Sequence, residues 1–152
     1  MAACFFDSSA LVKCYISETG TAWARSIVDN KNNVVHVSSL TRVEIISALT
    51  RRFRRGDITQ AEFDTACRES QLDITSHYEI VALTDRMIEE AAALAQKHGL
   101  RAYDAVQLAA ALNTKRVVSQ IKSAQLILVS ADLELNAAAA AEGLKVEDPN
   151  TH

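Results

Sequence analysis

The sequence predicts an α/β fold: a parallel sheet covered by helices on both faces. Two observations carry that expectation. Short apolar runs of β-type residues alternate along the chain with longer helical patterns, and such alternation packs as a parallel sheet between helical layers. The chain also holds only one proline and four glycines, so few residues interrupt the helices between the strands.

Five runs read as strands: Ala3 to Phe6, Val34 to Val37, Tyr78 to Val81, Leu126 to Val129 and Leu144 to Val146. Each is short and bounded by polar or turn residues. The helices between them declare their ends. Thr59-Gln60-Ala61-Glu62 has the capping-box pattern and opens a helix toward Ile74. Gly56 closes the helix that starts near Leu40, Gly99 the one from about Asp85, and Gly143 the last. The run Ala137 to Ala141 is a strong helix former.

A length of 152 residues suits one domain spanning 1–152. With 49% hydrophobic and 23% charged residues, the composition is that of a globular chain and excludes disorder. Three cysteines (Cys4, Cys14, Cys67) form no C-x-x-C pair, so neither a zinc knuckle nor a disulfide framework is expected. Reduced thiols, no basic leader and no apolar run of about 20 residues point to the cytoplasm and away from a membrane. The four histidines (His36, His77, His98, His152) show no metal-ligand spacing and read as surface or loop residues.

A net charge of -3 does not advertise a polyanion binder, so any phosphate contact must be local. Arg51, Arg52, Arg54 and Arg55 form one basic cluster, and Lys115, Arg116 and Lys122 a second stretch. An arginine run at the end of a helix also complements the helix dipole as a solvated face, and both readings stay open.

Parallel α/β sheets bind ligands outside the carboxyl ends of their strands. Asp7 directly follows Phe5-Phe6, and Asp132 follows Leu126 to Val129 by two small residues, Ser130 and Ala131. Either Asp could simply cap the following helix. Glu44 stands early in the helix Leu40-Thr41-Arg42-Val43-Glu44-Ile45-Ile46, and Asp104 lies in Ala102-Tyr103-Asp104-Ala105-Val106-Gln107-Leu108. The latter helix is apolar around nearly its whole circumference, which marks it as buried. A carboxylate there is costly unless a cation meets it; the alternative is an ion pair with Arg42 or Arg101. Taken together, two acids leave strand ends and two come from first turns of helices. Such a cluster would repel itself without a divalent ion, and all-oxygen ligands favour Mg²⁺, with Mn²⁺ able to substitute. A hydrated Mg²⁺ among carboxylates is suited to phosphodiester hydrolysis.

Other α/β chemistries drop out. A phosphatase nucleophile pair needs an Asp where Ser9 stands, and a phosphoacceptor domain needs paired acids where Asp7 is alone. No G-x-x-x-x-G-K, G-x-G-x-x-G or G-x-S-x-G pattern is present.

The motifs resemble those of the PIN-domain family. Phe6-Asp7-Ser8-Ser9-Ala10-Leu11-Val12-Lys13 is similar to its opening motif, and Ser38-Ser39-Leu40-Thr41-Arg42-Val43-Glu44 to its second. Arg101-Ala102-Tyr103-Asp104-Ala105 resembles the third, and Val129-Ser130-Ala131-Asp132 with Gly143-Leu144-Lys145-Val146 the last. The last departs from the commoner threonine-containing form. The resemblance implies a three-layer fold with a five-stranded parallel sheet, and Mg²⁺- or Mn²⁺-dependent hydrolysis of RNA leaving a 5′-phosphate. It casts Asp7, Glu44 and Asp104 as metal-binding and catalytic acids, completed by Asp132, with Ser130 positioning it or a water and Ser8 in support. A chain of this length made of the domain alone resembles VapC-type toxins of toxin–antitoxin pairs, which implies a homodimer inhibited by a cognate antitoxin. The alternatives are a PIN nuclease of RNA processing and a binding module that kept the fold without the activity.

Overall fold

The five runs are strands of one sheet: β1 (Ala3–Phe6), β2 (Val34–Ser38), β3 (Glu79–Val81), β4 (Leu126–Val129) and β5 (Lys145–Glu147). The order is β3-β2-β1-β4-β5, and every neighbouring pair is parallel. The computed structural model describes residues 2–121 and 124–152. Lys122 of the second basic stretch lies outside the described residues. Three strands differ from the sequence reading by one residue at an end, β2 running on to Ser38 and β5 to Glu147. Tyr78 stands before β3, its hydroxyl 2.7 Å from that of Tyr15, and β5 starts at Lys145.

Among the described residues seven α-helices surround the sheet: α1 (Ser8–Leu11), α2 (Thr21–Val28), α3 (Thr41–Arg55), α4 (Gln60–Ser76), α5 (Asp85–His98), α6 (Ala102–Val118) and α7 (Leu133–Ala141). Side chains alternate across a strand, and the alternation divides the core in two. Phe5, Leu126 and Leu128 pack with residues of α5, α6 and α7, whereas Cys4, Phe6, Val35, Val37 and Val129 pack with those of α1 to α4. Phe5 and Phe6 are both wholly buried, on opposite faces. Each such ring contributes about 1.5–3 kcal/mol. The result is the expected three-layer α/β arrangement.

The helix ends follow their local chemistry. Thr59 and Glu62 form a reciprocal capping box at α4, with Glu62 N donating to Thr59 Oγ1 (3.2 Å) and Thr59 N to Glu62 Oε2 (2.7 Å). Gly56 and Gly99 terminate α3 and α5 in the left-handed conformation. Helix α2 carried no clear signal in the sequence. It starts at Gly20, whose φ is +86°, and a Cβ there would fall 2.4 Å from the Pro149 carbonyl oxygen. That close approach seats the C-terminal turn Pro149–Thr151 against α2, where His152 stacks on Trp23 with centroids 4.1 Å apart. No helix among the described residues is long and apolar enough to cross a membrane.

The histidines correct one expectation. His36 is part of strand β2 and half-buried, because β2 is covered from both faces and its alternation places every second residue against a helical layer. His98 ends α5 and contacts Glu142 at 2.7 Å.

Candidate active site

Asp7 extends the β1–β4 ladder by one bond, its N–H donating to Val129 O (3.0 Å). The chain then turns into α1, and the Asp7 carboxylate caps that helix, accepting from Ser9 N (3.0 Å) and Ser9 Oγ (2.5 Å). Ser9 Oγ in turn accepts from Ala131 N (3.0 Å), stitching the β1 loop to the β4 loop. Across that stitch Asp132 caps α7 through Leu135 N (2.9 Å), while its own N–H donates to Ser130 Oγ (3.1 Å). Asn136 Nδ2 fixes Ser130 from behind by donating to its carbonyl (2.9 Å). Both aspartates are therefore helix caps and pocket residues at once. The two readings were never exclusive.

Glu44 sits in the first turn of α3. Ser8 Oγ donates to Glu44 Oε2 (3.2 Å), and Gln107 Nε2 donates to Glu44 Oε1 and to Thr41 Oγ1 (3.1 Å). Ser8 thus supports Glu44, while Asp7 takes the capping role. Gln107 lies one helical turn beyond Asp104 on α6, so its amide joins the second turn of α6 to the first turn of α3. Asp104 is 5% exposed, and among the described residues no hydrogen bond or ion pair reaches its carboxylate. The ion pair with Arg42 or Arg101 does not form. Arg101 Nη1 instead donates to Tyr103 Oη (3.0 Å).

All four acids line one open pocket of about 900 Å³ at the carboxyl edge of the sheet. Their electrostatics are linked. Burial pushes Asp7 up from the usual carboxylate range, with Asp132 adding repulsion. Burial raises Glu44 to about 7, reinforced by Asp7 and Asp104. Asp104 is raised to about 6, again by burial first and then by Asp132 and Asp7, with Arg101 pulling the other way. Among the described residues no basic side chain forms an ion pair with any of the four acids.

The basic residues divide. Arg51 and Arg52 line the same pocket, whereas Arg54 and Arg55 do not. Successive residues on a helix point about 100° apart, which turns Arg54 away, and Arg55 stands one turn beyond Arg51 at the end of α3. Arg52 pairs with Glu18 (3.2 Å), Arg51 donates to Ser47 Oγ (2.8 Å) and Arg55 pairs with Asp57 (2.9 Å). In the second stretch, Lys115 donates to the Gly143 carbonyl (2.7 Å) and Arg116 pairs with Glu90. Lys13 went unremarked in the sequence. It is 7% exposed, lines the pocket, and donates to Thr19 O (2.9 Å) and Glu18 (3.3 Å). Ser9 and Gln107 were also missed as site residues; the one available signal was a lone glutamine three positions after Asp104 on an apolar helix.

Among the described residues no three His, Cys, Asp or Glu side chains already form a group that could hold a metal ion. The acids stand around the pocket rather than closing on one point. The donor set nonetheless fits a hard divalent cation. It is all carboxylate oxygen, Asp104 has no partner among the described residues, and three of the four acids are raised above the usual carboxylate range, by burial first and by one another second.

An α/β sheet with an acid pocket at its carboxyl edge defines a class of carboxylate-site α/β protein. Within that class, the chain matches the PIN domain over residues 4–141 and belongs to the PIN domain family. It is 36% identical over 108 residues to ribonuclease VapC45 and to ribonuclease VapC49, both of Mycobacterium tuberculosis. Those matches cover 71% of this chain and 74% of each relative. In fold it is similar to PAE2754 from Pyrobaculum aerophilum, with a TM-score of 0.66 at 22% identity over 99% of this chain and 91% of that one. It is also similar to VapC20, a Sarcin-Ricin loop cleaving toxin of Mycobacterium tuberculosis, with a TM-score of 0.63 at 18% identity over 93% and 95%.

Proposed function

We propose that this PIN-domain chain is a Mg²⁺-dependent endoribonuclease of the VapC toxin type, held inactive by a cognate antitoxin and acting as a homodimer. One observation carries the reading: four acids from four separate segments line one pocket, and among the described residues no basic side chain forms an ion pair with any of them. The relatives that share 36% identity bear the name ribonuclease, which supports the same activity here.

Asp7, Glu44, Asp104 and Asp132 would hold the cation, which would acidify a bound water and neutralise charge on the scissile phosphate. The chain supplies the rest. Ser9 and Ser130 keep the two strand-end aspartates in register through their hydroxyls. Gln107 and Ser8 orient Glu44 from opposite sides. Lys13, Arg51 and Arg52 give one wall of the pocket a positive charge that meets the RNA backbone.

The test is cleavage of cellular RNA by the purified chain, with sequencing of the new ends. The wild type with Mg²⁺ should produce 5′-phosphate ends, and Asp7→Asn should produce none. Wild-type cleavage rates from Asp7→Asn would sink the site assignment. Growth arrest on expression, relieved by a co-expressed neighbouring gene, separates the toxin from an RNA-processing nuclease.

A further inference from the structure

Eight aromatic side chains are present, and seven are accounted for by packing or by a partner. Phe5 and Phe6 are wholly buried, Phe53 stacks on Phe63, Trp23 stacks on His152, and the hydroxyls of Tyr15 and Tyr78 meet. The eighth is Tyr103. It is 44% exposed and is the one aromatic among the residues lining the acid pocket. It stands immediately before Asp104 in the first turn of α6, so its ring lies at the rim while its neighbour is buried. Its hydroxyl accepts from Arg101 Nη1 (3.0 Å). That bond restrains the ring and leaves most of the five guanidinium donors of Arg101 free beside it.

A large apolar face left in water beside a polar pocket gains nothing for the fold. It does have the chemistry of a stacking surface, because every nucleobase offers a π-face to an aromatic ring. We infer that Tyr103 is a base-stacking platform of the active site: its ring takes the nucleobase next to the scissile phosphate, and Arg101 holds the adjoining phosphate. The inference rests on the nuclease reading and deepens it. Stacking tolerates any base, so Tyr103 sets where the strand lies across the acids more than which sequence is read.

The experiment compares wild type with Tyr103→Ala, Tyr103→Phe and Tyr103→Trp, each first shown to melt like wild type. A single-stranded oligoribonucleotide carrying 2-aminopurine, titrated in chelator and again in Ca²⁺, reports stacking through quenching of its fluorescence. Loss of the ring should weaken binding about 5- to 150-fold, with Phe and Trp retaining it. In cleavage assays with Mg²⁺ the loss should fall on KM, with kcat much less affected. An abasic nucleotide beside the mapped cut should weaken the wild type equally, and should add nothing to Tyr103→Ala. Unchanged binding in Tyr103→Ala, a Phe variant as weak as Ala, or independent effects of the abasic site and the mutation would each overturn the inference. So would a wild type that quenches no oligonucleotide. Absent cleavage with Tyr103-dependent quenching intact would sink the nuclease reading alone, and cleavage without Tyr103 dependence would sink this inference alone.

Discussion

Replacing Asp104 with Asn removes a buried charge that has no partner in the described structure. The sign of the effect follows from the carboxyl's environment. Asp104 is raised from 3.8 to about 6, so the folded chain holds its proton more tightly than the unfolded chain does. The stability this proton brings is complete below about pH 4 and is lost as the pH rises through 6. At neutral pH the charged form costs the folded state about 3 kcal/mol by that difference. The pocket is open to water, which screens the repulsion, so a gain of about 1–2 kcal/mol on neutralisation is the reasonable expectation. For a chain of this size that is a rise of about 2–8 °C in Tm. In chelator at pH 7.5, Asp104→Asn should therefore melt above wild type, and the gap should close as the pH is lowered to 4. With Mg²⁺ at a hundredfold excess over Kd, the wild type should gain about 2.7 kcal/mol through binding to the native state, and the variant much less. The assay is a set of thermal melts, wild type and variant, with and without metal across that pH range. A variant markedly less stable than wild type in chelator would refute the reasoning, because it would mean that Asp104 satisfies a buried partner.

Two further outcomes follow from the pocket's chemistry. Mn²⁺ should replace Mg²⁺ in RNA cleavage while Ca²⁺ supports little, because calcium takes more ligands at longer distances and acidifies its water less; zinc-dependent activity indifferent to Mg²⁺ would contradict an all-carboxylate site. Arg51→Ala with Arg52→Ala should weaken RNA binding and reduce the log–log salt slope by about 0.7 per lost contact, whereas Arg54→Ala with Arg55→Ala should leave the slope unchanged; filter-binding titrations over a salt series decide between them.

The sequence by itself determined the layers. Each strand was legible because a short apolar run bounded by polar residues has few other ways to bury both faces, and most helix ends were legible because caps act on their own backbone. Thr59 and Glu62 form their box with no outside help. The four acids were legible as candidates for the same local reason: each is a charge set beside apolar neighbours or at a strand end. Helix α2 escaped, because no side chain caps its start: Gly20 stands there in the left-handed region, against Pro149 from far along the chain. Gln107 escaped as a site residue because its partners, Thr41 and Glu44, lie more than sixty positions away. The basic cluster was one run in the sequence and became two groups in space, since helical rotation turns Arg54 away and Arg55, on the face of Arg51, lies one turn further from the pocket. Local interactions read from neighbouring residues determine elements and their ends. Whether an acid forms an ion pair, and which acids come to share one pocket, depends on groups brought near by packing, and only the tertiary structure decided that.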